Sequence, residues 1–385
     1  MAENSNIEWT DATWNPITGC TMVSAGCTNC YAMGLAATRL RNHLSRAGLT
    51  RESGGRPVWT GDVRLNEQWL DQPLRWGRPR LIFVCAHGDL FHERVPDEWI
   101  DRVFAVMALA PQHTFQVLTK RPERARAYLG HGGTCIPVGI RQAAEKMGQG
   151  DPGPLPIALP NVWLGTSIED QATANARIPH LLATPAAVRF LSCEPLLGPV
   201  DLGASKGIPV YWEGAEADGP LQLTTWGKPI GSVARRGWVK HSGNMQPWLD
   251  WVICGGESGP GARPMHPDWA RSLRDQCVAA GVPFFFKQWG EWQPCCQMAD
   301  TDGDDLYHPA PADHPDASRR CRVASACLHI DGQAIPIGEA NGFHTMPAGA
   351  FAGPEPMTMF RVGKKAAGRD LDGRTWDQMP GGADA

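Results

Sequence analysis

Short apolar runs alternate with polar loops and amphipathic stretches along most of this chain. Residues 81–85, Leu-Ile-Phe-Val-Cys, form an unbroken apolar run of the kind that a parallel sheet buries on both faces. A polar loop and an amphipathic helical pattern over 97–109 follow it. The same order returns with 114–118 before Lys120-Arg121-Pro122-Glu123 and a short helix, with 162–165 before a helix over 171–182, and with 188–191 before Cys193-Glu194-Pro195. It returns again with 251–254 before Gly255-Gly256-Glu257-Ser258-Gly259 and a helix over 268–280, and with 282–286 before Lys287-Gln288-Trp289. Six such strands, with a short one ahead of Cys20, predict an α/β fold arranged as a partial barrel. An open doubly wound sheet shows the same alternation, and strand counting does not separate the two.

Three stretches break the pattern. Residues 130–160 are dense in glycine and proline, 202–247 mix glycine with short β-like pieces, and 292–347 set Cys295, Cys296, Cys321 and Cys327 on an irregular polar background. Long connections on a barrel are expected to act as lids or substrate-binding attachments. The expected organisation is an α/β core over 1–291 carrying the first two insertions, a cysteine-containing insertion over 292–347, and a basic segment over 348–385 packing on the core. The four cysteines of the third stretch, with His329, are read either as a second metal site or as ordinary loop thiols.

The chain has 385 residues, 42% hydrophobic and 8% aromatic, which is the composition of a folded globular protein with a large core. No run of about 18 apolar residues occurs, and MAENSNIEWT lacks a basic region followed by an apolar one, so neither a membrane span nor a secretory signal is expected. A cytoplasmic location follows, in which twelve cysteines are reduced thiols, some of them ligands, rather than a disulfide framework. A net charge of −4 gives no global argument for nucleic acid, although Lys364, Lys365, Arg369 and Arg374 form a local basic patch suited to phosphate or simply to solvent.

The sharpest chemical signal is Cys20, Cys27 and Cys30, spaced C-x6-C-x2-C between Trp14-Asn15-Pro16 and an expected helix. Three thiolates hold an iron–sulfur cluster while leaving one iron free to bind a substrate or cofactor. A zinc site that borrows a distant Cys or His, or three unremarkable thiols, are the competing readings.

The segment Ile7-Glu8-Trp9-Thr10-Asp11-Ala12-Thr13-Trp14-Asn15-Pro16, the three cysteines with Tyr31 after them, and Lys364-Lys365-Ala366-Ala367-Gly368-Arg369 with Leu371-Asp372-Gly373-Arg374-Thr375-Trp376 resemble the three-Cys-motif phage protein family. That family is itself similar to radical S-adenosylmethionine (SAM) enzymes. Their usual spacing is C-x3-C-x2-C, and this chain lengthens the first gap and keeps the second. The resemblance implies a radical-SAM-like partial (β/α) barrel with loop insertions, a [4Fe-4S] cluster on Cys20, Cys27 and Cys30, and SAM bound at the open iron. A reduced cluster then cleaves the sulfonium bond to a 5′-deoxyadenosyl radical. It also implies an electron donor such as flavodoxin or ferredoxin, and Tyr31 near the adenine end. Relatives of the family are associated with phage thymine hypermodification, which points to a modified DNA base or nucleotide as substrate and to isomerisation of N-linked glycyl-thymidine to its C-linked form. An enzyme acting on a base within DNA must flip it out or meet it in a single strand.

Polar residues after nearly every expected strand supply the rest of the site, because ligands of an α/β barrel bind at the carboxyl ends of its strands. Asp89, Lys120, Ser167, Glu194, Glu257, Ser258 and Lys287 all stand there. Lys120, Lys287 and Glu194 are the candidate catalytic residues. Tyr31, Asp89, Ser167, Glu194, Gly255, Gly256, Glu257 and Ser258 are the candidate SAM contacts. Gly255-Gly256-Glu257 resembles the Gly-Gly-Glu element that radical SAM enzymes use for the SAM amino group, although it follows a late strand. It reads equally as a tight strand-to-helix turn. The function class set against the radical enzyme is a zinc-stabilised, non-catalytic nucleic-acid adaptor of a phage.

Overall fold

The computed structural model describes residues 5–381 apart from 131–134, 149, 157, 204–209, 214–221, 226–237, 242–243, 300–304, 309–319 and 344–346. Its centre is a seven-stranded sheet of β1 (Ala12–Trp14), β2 (Leu81–Val84), β3 (Thr114–Thr119), β4 (Val162–Ser167), β5 (Val188–Cys193), β6 (Trp251–Gly255) and β7 (Phe284–Gln288). All neighbours are parallel, from Ala12 opposite Ile82 at one edge to Val252 opposite Phe284 at the other. The strands follow one another across the sheet in chain order, without the reversal that defines a doubly wound fold. The protein is therefore mixed α/β, with a parallel sheet curled into a half-barrel.

Both faces of the sheet are buried, which is why the strands read as continuous apolar runs. Val84, Val117, Leu164, Leu191, Val252 and Phe286 face the helices, against Ile100, Val103, Ile178, Trp269 and Leu273. The inner face is aromatic. There Phe83, Trp163, Phe190, Trp251 and Phe285 pack around Trp9, whose ring centroid lies 4.9 Å from that of Phe83 and 6.2 Å from that of Trp251. The N-terminal segment thus plugs the half-barrel with one side chain. Gly165 makes room in this layer, since a Cβ there would lie 2.4 Å from the Phe190 ring.

The helices begin and end where local chemistry dictates. Asp97–Leu109 places Asp97 and Glu98 at its positive N-terminus and buries Ile100, Val103, Phe104 and Met107 along one stripe. Gln171–Leu182 opens with a reciprocal cap, in which Thr173 N donates to Asp170 Oδ1 at 2.8 Å and Asp170 N donates to Thr173 Oγ1 at 3.1 Å. Pro267–Ala280 stops at Gly281, whose φ of 67° suits glycine.

The insertions contain regular pieces, in the first and third where the sequence pattern predicts irregular loops. The first holds the helix Cys135–Lys146. The second lies mostly outside the described residues, apart from the hairpins Val210–Glu213 with Gln222–Thr225 and Trp238–His241 with Asn244–Pro247. The third contributes Ser325–Leu328 and Ala334–Gly338 to a four-stranded antiparallel sheet with Gln293–Pro294 and Met357–Phe360. Residues 368–378 then return to the core and cover the open edge of β7. Phe286 N donates to Trp376 O at 2.9 Å, Trp289 N to Gly368 O at 3.2 Å, and Phe284 N to Gln378 Oε1 at 2.9 Å.

Candidate functional site

One cavity of about 380 Å³ opens at the carboxyl ends of the strands, within the range of sites for cofactor-sized ligands. Cys20, Cys27, Cys30, Tyr31, Asp89, Lys120, Ser167, Glu194, Gly256, Glu257, Ser258 and Lys287 all line it, gathered from both edges and the middle of the sheet. Gly255 stands directly behind Glu194, where a Cβ would lie 3.0 Å from Glu194 Oε1.

The cysteine loop follows β1 and is fixed at three places. At its base, Cys20 and Cys30 pack beside Ala32, Met33 and Ala36 of the helix Tyr31–Ala37, which rests on Leu49 and Trp59 of an N-terminal hairpin region. At the β4 end, Ser24 Oγ donates to Glu169 Oε1 at 2.7 Å, and Gly26 approaches so closely that a Cβ would lie 2.6 Å from the Glu169 side chain. At the β6 end, Asn29 Nδ2 donates to Glu257 Oε2 at 3.0 Å and to Gly261 O at 2.8 Å, while Arg263 Nη2 donates to Ala25 O at 3.0 Å.

These contacts sort the strand-end residues by what they have left to offer a ligand. Glu257 accepts from Arg263 Nε at 2.8 Å, Arg263 Nη2 at 2.6 Å, Arg263 N at 2.9 Å and Asn29 Nδ2, so its carboxylate is fully engaged in holding the cysteine loop. Asp89 is engaged likewise, accepting from Thr119 Oγ1 at 2.7 Å, Phe91 N at 3.0 Å, Lys120 N at 3.1 Å and Arg121 Nη1 at 3.1 Å. Lys120 pairs with the buried Glu169, which also takes Arg177 at 3.1 Å. Burial alone would raise the Glu169 carboxyl, but the two cations and Ser24 outweigh it and hold it below the usual carboxylate range.

Glu194 is different. It pairs with Lys287 at 2.8 Å and accepts from Ser192 Oγ at 3.1 Å, and both members of the pair keep part of their surface open to the cavity. Gly255 and Gly256 are explained by packing, because a Cβ on Gly256 would lie 1.9 Å from Trp289 O. The Gly-Gly element therefore lets the β6 and β7 loops touch. Tyr31 donates to Ala86 O at 2.7 Å and sets its ring edge-on to His87.

The donor set suits a three-thiolate ligand. Cys20, Cys27 and Cys30 are free thiols, partly exposed, and Arg121 Nη1 donates to Cys20 Sγ at 3.6 Å. Burial pushes the Cys20 thiol up to about 12, Asp89 adds to this and Arg121 opposes it. A polar ligand beside them is suited as well, because Gln288 Oε1, on the same wall, is buried without a partner among the described residues. The amide orientation is fixed by Gly256 O, an acceptor that only Nε2 can meet.

Among the described residues, the four cysteines of the third insertion do not assemble into a second centre. Cys295 and Cys296 are exposed, Cys321 and Cys327 are buried, and His329 Nε2 is bonded to Ala350 O at 2.7 Å. Among the described residues no three His, Cys, Asp or Glu side chains are placed to hold a single metal ion. No helix among them is long and apolar enough to cross a membrane.

The basic C-terminal segment also serves the fold. Arg369 pairs with Asp377 and lies over Phe285 at 5.2 Å, and Arg374 lies over Trp376 at 4.3 Å. Lys364 lines the cavity mouth, paired with Glu8 at 3.3 Å.

Residues 4–380 match a family described as Protein of unknown function (DUF5131). The chain belongs to that family. No curated protein and no solved structure matches it. Beyond the strand-end residues read from the sequence, tertiary pairing adds Asn29, Arg263 and Ser24 to the site of this DUF5131 chain: Asn29 and Arg263 reach Glu257, and Ser24 reaches Glu169. The position of Asn29 between two cysteines was the available signal for the first.

Proposed function

We propose that this protein is a radical SAM enzyme with a [4Fe-4S] cluster on Cys20, Cys27 and Cys30, resembling the three-Cys-motif phage proteins. One observation carries the reading: three free cysteines and the strand-end polar residues share a single cavity at the ligand-binding end of a parallel half-barrel. Cys20, Cys27 and Cys30 would hold the cluster, which when bound would supply the electron for reductive cleavage of SAM and so the radical chemistry of the reaction.

The residues of the chain bind, orient and shield. Glu194 takes the methionine ammonium, the role that Asp89 and Glu257 cannot fill while their oxygens are engaged, and Lys287 holds Glu194 in place. Ser167 and Ser258 offer hydroxyls at the cavity wall, and Tyr31 presents an aromatic edge at its mouth. The Trp9 plug keeps water from entering through the half-barrel from below. Lys120, held by Glu169, lines the cavity and would offer a positive charge to the substrate. The proposed substrate is a modified thymine in phage DNA or its nucleotide, with the N-linked glycyl group rearranged to a carbon linkage. Lys364 at the mouth is placed to meet a phosphate, and a small redox protein such as flavodoxin or ferredoxin supplies the electron.

Anaerobic reconstitution tests the reading. About four irons per chain are expected, lost on replacing any one of the three cysteines by Ala, together with slow release of 5′-deoxyadenosine from SAM under a reductant. Stoichiometric zinc without iron overturns the proposal in favour of the adaptor. Conversion of N-linked glycyl-thymidine to a product of the same mass and different retention establishes the isomerisation.

A further inference from the structure

Arg121 is the second residue after β3 and is 5% exposed, and every one of its five N–H donors has a partner. Nε meets Glu93 Oε2 at 2.9 Å, Nη1 meets Asp89 Oδ2 at 3.1 Å and Cys20 Sγ at 3.6 Å, and Nη2 meets the hydroxyl of Thr21 and its carbonyl at 3.4 Å. Asp89 cannot yield to let it turn, being locked by Thr119, Lys120 and Phe91. The guanidinium is thus a fixed cation aimed at one of the three cysteine sulfurs and at the residue after it. Cys27 has only a weak contact with Ser24 Oγ, at 3.9 Å.

A charged N–H donor on a ligating thiolate stabilises the more negative state of the group that the sulfur binds. It therefore raises the reduction potential of an iron–sulfur centre. We infer that Arg121 is a positioning residue that holds the Cys20 sulfur and sets the reduction potential of the cluster bound there, Asp89 acting as its anchor. The inference rests on the cluster reading above.

The test is an EPR-monitored redox titration of the anaerobically reconstituted full chain, with iron measured on each sample. Arg121→Lys keeps the charge beside Asp89 and loses the fork that reaches the sulfur. The double variant Asp89→Asn with Arg121→Met removes the charge pair as a unit, so that no lone buried charge destabilises the fold. The midpoint is expected to shift to more negative potential in Arg121→Lys, and in the double variant by about as much, because the charges of Asp89 and Arg121 leave together and offset each other while the N–H donor to the sulfur is lost in both. Wild-type midpoints in both variants at full iron occupancy overturn the inference and leave the cluster reading intact. A wild-type protein that takes up no iron overturns the cluster reading itself.

Discussion

Replacing Glu257 by Gln should open the cysteine loop without unfolding the half-barrel. The carboxylate collects two guanidinium N–H groups, one backbone N–H and one side-chain amide, and its side chain is 5% exposed. Glutamine removes the charge and turns an NH2 group toward donors. Breaking a buried pair costs about 3–5 kcal/mol. Arg263 keeps a third of its side chain in solvent, which reduces the expected loss to about 2 kcal/mol. If that loss falls on the loop, local opening becomes about thirty-fold more frequent.

The assay is hydrogen exchange in the metal-free protein. The amides of Cys27, Thr28 and Cys30 donate to Ser24 O, Ala25 O and Cys27 O, and should exchange about thirty-fold faster in the variant while β4 and β5 amides are unchanged. Acidification should do the same to the wild type. Burial would raise the Glu257 carboxyl, but Arg263 and Asn29 hold it below the usual carboxylate range. The stabilisation is therefore complete above that range and is lost as pH falls through the lowered folded value. Glu257→Gln should lack this acid-dependent step. Loop exchange within three-fold of wild type, with faster exchange across the whole sheet instead, would refute the clamp.

Gly165→Ala should lower stability by about 1–3 kcal/mol through overpacking against Phe190, read as a reduced urea midpoint at constant slope. Glu169→Gln should free the Ser24 end of the loop and leave Lys120 and Arg177 without their shared acceptor, costing about 3 kcal/mol in chemical denaturation, because Glu169 is fully buried. Lys364→Ala should change stability by less than about 1 kcal/mol, since its pair with Glu8 is half exposed, yet should reduce the salt dependence of any DNA binding measured by fluorescence anisotropy.

The strands and principal helices were legible because burial on two faces forces unbroken apolar runs at β2, β4 and β6, and burial on one face forces the stripe over 97–109. The cysteine spacing was equally plain. Strand order was not, since it depends on which loops cross which face, and local pattern is silent on that. The partners of Glu257 and Asp89 were hidden for a related reason. A carboxylate at a strand end looks available until its partners are known, and Asn29 lies 228 residues from Glu257 in the chain. The small antiparallel sheet was hidden because its strands are short, and its central strand Met357–Phe360 is separated from Ser325–Leu328 by an irregular stretch.

The strap over the β7 edge has a consequence for synthesis on the ribosome. Phe284 and Phe286 give their backbone N–H groups to residues 376–378, which are translated some ninety residues after the strand they cover. For that interval the nascent sheet carries a bare edge of three phenylalanines, a template for pairing with another chain. Productive folding of this protein is therefore a race between elongation and self-association, and slow translation across residues 289–375 should lower its yield more than slow translation anywhere before β7.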